Sequence, residues 1–164
     1  MNDTTGTARA AIVYESMFGN TRRVAEAIAD GLGDAVRVTV LRVKDAPEAF
    51  PDIDLLLVGA PTHVHGLSRP STRTEAATWS DDPDRSLALE PDAEGIGVRD
   101  MTELFTGSAA STIDKRLRRL GSRRLLSKRS FLVDKNSDLV AGQLDDARTW
   151  GRELAEALIA QRLV

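Results

Sequence analysis

Hydrophobic and polar positions alternate along the chain in two distinct periods. Ala11 to Tyr14 is a continuous apolar run, the pattern of a strand covered on both faces. Val24, Ala25, Ile28, Ala29 and Leu32 follow at the 3.6-residue spacing of an amphipathic helix, which exits at Gly31 and Gly33. Between them, Glu15 to Thr21 is a short loop in which Asn20 or Thr21 can cap the helix. Val36 to Val43 alternates apolar with polar residues and predicts a half-exposed edge strand. Asp45 to Asp54 holds Pro47 and Pro51 and reads as an irregular connection. Leu55 to Gly59 is again uniformly apolar and predicts a central strand.

Further on, Ser68 to Trp79 reads as a helix with Pro70 in its first turn and Ser68 or Ser71 near its cap. Ser80 to Asp92 is acidic and broken by Pro83 and Pro91, as in an exposed loop. Ser111 to Leu120 predicts a helix with Ile113, Leu117 and Leu120 as its stripe. Ser130 to Val133 reads as the last central strand and Asp134 to Gly142 as a polar turn. Gln143 to Arg162 predicts a closing helix whose core stripe is Leu144, Ala147, Trp150, Leu154, Ala157, Leu158 and Ile159. Strand, helix, strand, connection, strand implies an α/β fold, a parallel sheet with right-handed crossovers. The length of 164 residues suits a single domain over 1–164, with residues 1–9 a frayed leader.

Two stretches carry the chemistry. The loop Ser16-Met17-Phe18-Gly19-Asn20-Thr21 opens a helix, where exposed N–H groups and the helix dipole favour an anion. Ser16 and Thr21 add hydroxyls, and Gly19 permits close backbone approach. This loop resembles the phosphate-binding loop of the flavodoxin family, Ser/Thr-x-Thr-Gly-x-Thr after the first strand, with Phe18 standing where the family has Thr. The resemblance implies a three-layer doubly wound parallel sheet and a loop that holds the phosphate of FMN. It covers nearly the whole chain.

The second stretch, Pro61-Thr62-His63-Val64-His65-Gly66, follows the third strand. In the flavodoxin order 2-1-3-4-5 the first and third strands flank the point where strand order reverses, and ligands sit there. The resemblance implies that these six residues line the flavin ring. His63 and His65 also have the His-x-His spacing of metal ligands, but no Cys or nearby carboxylate completes a set, so no metal is expected. A histidine acting as acid or base stays open, beside ring contact and simple loop packing. Trp79 reads as a packing residue, with flavin stacking as the alternative.

One part of the family pattern is missing. Met101 to Phe105 reads as a helix end or turn, and Thr106 to Ala110 leads straight into the next helix. The buried fourth strand and its flavin-contacting loop are therefore not found, which predicts four strands in the order 2-1-3-5. Gly95-Ile96-Gly97 lacks a third glycine and a preceding strand, which excludes a dinucleotide fingerprint. A receiver domain needs an acceptor Asp where this chain has Gly59-Ala60-Pro61.

Composition narrows the reading. There is no cysteine, so disulfides and thiol chemistry are excluded, and no Walker or nucleophile-elbow motif is present. No apolar run is long enough to span a bilayer, and the first residues lack a signal-peptide core, so the cytoplasm is expected and no membrane partner. The net charge of −3 and pI near 5.4 weigh against nucleic acid. The basic run Lys115 to Arg129 reads as a solvated helix face, with a patch for an acidic partner as the alternative. The expected function is that of an FMN-binding redox protein that passes electrons to a partner protein or reduces a small acceptor. The alternative is a scaffold that has lost tight flavin binding and serves as an interaction module. A short sheet with an open edge can also be completed by a homodimer.

Overall fold

The structure is a computed structural model, described here over residues 7–63, 66–81, 87–91, 93, 109–134 and 136–163. Its centre is β1 (Ala8–Tyr14), which is buried at every position except Arg9. β1 reaches back to Ala8, so Ala8 and Arg9 belong to the sheet and not to a leader. It is followed by α1 (Asn20–Leu32), β2 (Val36–Arg42) and a single 3-10 turn at Val43–Asp45. β3 (Leu55–Gly59) completes the sheet in the order β2-β1-β3. Both neighbours run parallel to β1, from Ala8↔Val36 to Tyr14↔Arg42 and from Ala10↔Leu55 to Tyr14↔Gly59.

Alternate β1 side chains enter different cores, as the two-residue period of a strand requires. Ala10, Ile12 and Tyr14 face a layer made by Val24, Ala25 and Ile28 of α1 and by α4 (Gln143–Arg162), through Ala147, Leu154 and Leu158. Val13 faces the other way, onto Val43, Leu67 and Ile113, with Leu56, Val58 and Leu117 beside them. Ile113 and Leu117 belong to α3 (Ala109–Arg119), so helices cover both faces and the fold is a three-layer α/β sandwich.

α1 and α4 pack unusually closely. A Cβ placed on Gly31 would lie 2.1 Å from the Arg148 carbonyl oxygen, and one on Gly151 would lie 2.4 Å from that of Ile28. Both glycines are therefore required by backbone approach, and Gly31 lies inside α1 rather than at its exit. Gly33 is the C-cap, at φ 62°.

Several expectations are corrected. Neither Asn20 nor Thr21 caps α1; both are helical, and Gly19 takes the cap position at φ 84°. Pro61 to Gly66 is not a plain loop, because β4 (Thr62–His63) pairs antiparallel with β5 (Gly66–Leu67). α2 spans Pro70–Ser80 with Arg69 as N-cap, whose N–H donates to Thr72 Oγ1 at 2.8 Å. Ser68 does not cap it, because its hydroxyl is fully buried against Glu15. Leu120 leaves the α3 stripe and is 75% exposed, since the helix ends one residue earlier. Ile159 also points outward, while Gly151 and Ala155 complete the buried face of α4.

The largest correction concerns Ser130 to Val133. This segment is not a sheet strand, so the fourth position of the order 2-1-3-5 is not filled by it. Val133 makes one antiparallel bridge, to Leu139, and Leu132 and Val133 are 62% and 50% exposed. The physical reason is that α4 holds the segment. Phe131 packs on Trp150 at 6.4 Å, and the Leu132 N–H donates to Gln143 Oε1 at 2.6 Å. Among the described residues, no strand pairs with the outer edge of β3. The stretches Gly95 to Asp100 and Met101 to Phe105 lie outside the described residues.

The helix contact gives a direct test. Gly31→Ala is expected to lower the unfolding free energy by about 1–3 kcal/mol despite the better helix propensity of alanine, because the backbones must separate. Urea denaturation of the two proteins measures it.

Candidate functional site

The carboxyl ends of β1 and β3 open onto a cleft of about 880 Å³ that runs along β3, from Phe50 and Leu55 to Pro61 and Thr62. Of the residues singled out in the sequence, Ser16, Met17, Phe18, Asn20, Thr21, Pro61 and Thr62 line this cleft together. The two loops are held side by side by the sheet itself: the Glu15 N–H donates to the Gly59 carbonyl at 2.9 Å, continuing the β1–β3 ladder into the loop. Gly59 also leaves room for Thr21, whose Cγ2 would lie 3.4 Å from a Cβ at that position. Gly19 is buried and does not itself line the cleft. The backbone of His63 and of Gly66 is in the hairpin, whereas Val64 and His65 lie outside the described residues.

Within the first loop each side chain has a distinct setting. The Ser16 hydroxyl accepts from the Arg22 N–H at 3.4 Å, a long contact with the first turn of α1. The Asn20 amide is occupied elsewhere, donating to the Ser137 carbonyl in the turn before α4. Met17 is buried against Ala76 and Ala93. Phe18 stacks on Trp79 of α2 with 6.5 Å between ring centroids and 11° between planes. Trp79 therefore packs as expected, and it also lines the cleft.

Two polar clusters that the sequence did not reveal brace the loop. The first is Arg22, Glu90 and Arg42. Arg22 Nε donates to Glu90 Oε1 at 2.7 Å, and Arg42 Nη2 to Glu90 Oε2 at 3.3 Å. The Glu90 hydrogen bond is the main cause that raises the Arg22 pKa above its ordinary value. The Glu90 N–H donates in turn to the Met17 carbonyl at 2.7 Å. A Cβ on Gly19 would come within 3.3 Å of this carboxylate, so glycine there serves both the positive φ and the close approach.

The second cluster is buried. Ser68 donates to the Glu15 carboxylate, and Arg73 Nη1 donates to the Ser68 oxygen at 3.1 Å. Glu15, Ser68 and Arg73 are all under a tenth exposed. A carboxylate directly after a buried strand is a visible sign of such a site, but nothing in the local sequence pairs it with Ser68 and Arg73, more than fifty residues away. The cluster ties the end of β1 to the start of α2.

The lining also includes five basic residues, Arg118, Arg123, Arg124, Lys128 and Arg129. Asp114 sits among them. Arg124 Nε donates to Asp114 Oδ1 at 2.8 Å, and this hydrogen bond lowers the Asp114 pKa below the usual carboxylate value. Among the described residues, no group of three or more His, Asp or Glu could hold a metal ion.

A family model described as Flavodoxin matches residues 12–157. The chain belongs to the flavodoxin family. The solved structure of a flavodoxin from the domain Archaea is similar in fold, with a TM-score of 0.57 and 19% sequence identity. The match covers 92% of this chain and 99% of that one. No helix among the described residues is long and apolar enough to cross a membrane.

Two outcomes are expected. Ser68→Ala removes the hydroxyl between a buried carboxylate and a buried guanidinium, and should cost about 1–3 kcal/mol of stability in a denaturant melt. Arg124→Gln should return the Asp114 pKa upward toward the ordinary carboxylate range, read by carbon-13 NMR titration of its carboxyl. Because folding lowers this pKa, the Asp114–Arg124 pair contributes to stability above the ordinary carboxylate range. It loses that contribution as pH falls through the lowered value.

Proposed function

We propose that this chain binds FMN in the cleft between the β1–α1 loop and the β3–β4 connection, and that it acts as an electron-transfer protein. The observation that carries the reading is the meeting of Ser16, Asn20 and Thr21 with Pro61 and Thr62 on one cleft, within a chain of the flavodoxin family. The residues fit the group. The α1 N-terminus offers N–H donors beside the Ser16 and Thr21 hydroxyls, a setting suited to a phosphate. The nearby Glu90 carboxylate does not oppose it, because Arg22 and Arg42 offset its charge.

When bound, FMN supplies electron transfer through its isoalloxazine ring, and the protein supplies orientation and electrostatics. In this assignment Ser16, Gly19, Asn20 and Thr21 form the phosphate cradle, with Met17 and Phe18 as its apolar side. The stacked Phe18 and Trp79 give the cleft an apolar border. Pro61 and Thr62 border the ring, together with His63, Val64, His65 and Gly66 of the same connection. The Glu15–Ser68–Arg73 cluster holds the two halves of the site in register. The redox partner is a protein or a small acceptor, and the cytoplasm is the proposed compartment.

A second reading has one observation in its favour. Among the described residues β3 has no outer neighbour, and a fourth strand carries one wall of the flavin site in this family. That reading makes the chain a scaffold without tight flavin binding.

An FMN titration followed by flavin fluorescence separates the two. Saturable quenching is expected, and Thr21→Glu should weaken FMN binding by roughly tenfold or more, the scale of a lost hydrogen bond to a charged group. Riboflavin, which lacks the phosphate, should bind the two proteins alike. Folded protein that leaves FMN fluorescence unchanged selects the scaffold.

A further inference from the structure

The charge of this chain is strongly segregated. The fifteen residues 115–129 carry eight Lys and Arg and no Asp or Glu, while the other 149 carry a net charge of −11. Lys115, Arg118, Arg119, Arg123, Arg124, Lys128 and Arg129 are all exposed. Among the described residues, Asp114 pairs with Arg124, and Glu153 approaches Arg129 at 4.0 Å. The segment is also tied in place. Arg116 is buried, Ile113 and Leu117 hold α3 on the sheet, and Leu125, Leu126 and Phe131 pack on the main core. Five of the basic residues line the same cleft as Ser16, Thr21, Pro61 and Thr62.

We propose that the basic face of residues 115–129 is a docking surface for a protein with an acidic patch, one that carries its own redox centre. Charge complementarity gives the partner its sign, and the position of the face on the cleft rim gives it a purpose. A partner seated there meets the opening assigned above to the flavin. Attraction between opposite patches speeds encounter and selects orientation. The surface does not suit nucleic acid. No aromatic residue lies within 115–129 to stack on bases, and the acidic remainder repels a phosphate backbone. The docking stands by itself, whereas its use for electron transfer rests on the FMN reading.

The test uses the full chain, with and without added FMN, and a plant-type ferredoxin as an acidic one-electron probe. Titration calorimetry should show saturable binding that weakens about tenfold or more between ~20 and ~200 mM salt, as expected for screened charges. The double variant Lys115→Glu, Arg119→Glu, at exposed basic positions that do not line the cleft, should lose about tenfold or more in ferredoxin affinity and keep its FMN affinity. If that variant does not fold, the corresponding double alanine variant replaces it and a smaller loss in the same direction is expected. Cytochrome c, a basic redox protein, should bind at least roughly tenfold more weakly than ferredoxin at low salt. Absence of ferredoxin binding, binding indifferent to the variant, or tighter binding of a short DNA duplex overturns the proposal. Binding of ferredoxin by flavin-free protein that also ignores FMN retains the docking surface and removes only its redox use.

Discussion

The contact on which the rest depends is the crossing of α1 and α4 at Gly31 and Gly151. It presses two helix backbones together and lays them across the same face of β1. A helix fixed in this way has a fixed direction, so the N-terminus of α1 stays at the carboxyl edge of the sheet. The loop Ser16 to Asn20 is short and has little freedom once both ends are anchored. Its geometry follows from packing some distance from the cleft. Ala27, Ala147 and Ala155 extend the same logic, because small side chains let the layers approach where larger ones would hold them apart.

Around that contact the polar clusters act as braces. Glu90 joins α1 and β2 through Arg22 and Arg42, while its backbone holds Met17. Glu15 joins β1 to α2 through Ser68 and Arg73. Glu15, Ser68 and Arg73 are buried, and such polar groups carry a desolvation penalty whose return lies in allowing one arrangement. Each brace is shared between elements distant in sequence.

Much of this was legible in the sequence. Continuous apolar runs marked β1 and β3 because a strand covered on both sides has no polar face to show. The 3.6-residue stripe marked α4 to its observed ends, Gln143 and Arg162. The reading failed where tertiary contacts outweigh local pattern. Asn20 and Ser68 are good caps by residue type, yet each is drawn to a distant partner, Ser137 and Glu15. Ser130 to Val133 has strand composition, but Phe131 and Leu132 are claimed by Trp150 and Gln143. The glycine crossing left no periodic trace. In the same way, Ser16, Thr21, Pro61 and Thr62 could be named from loop chemistry, but the Arg22–Glu90–Arg42 brace could not, because its members are far apart along the chain.

The outer edge of β3 has a consequence for the molecule's behaviour in concentrated solution. The Gly59 carbonyl points to β1, so by the alternation of a parallel ladder the peptide groups of Leu56 and Val58 point away from it. Among the described residues no strand covers this edge, and an edge of that kind invites sheet extension by a second copy. Yet it shares its cleft with five basic side chains, and two copies approaching edge to edge would bring two sets of like charges together. Like charge along this edge opposes such pairing, and the repulsion weakens as salt screens it.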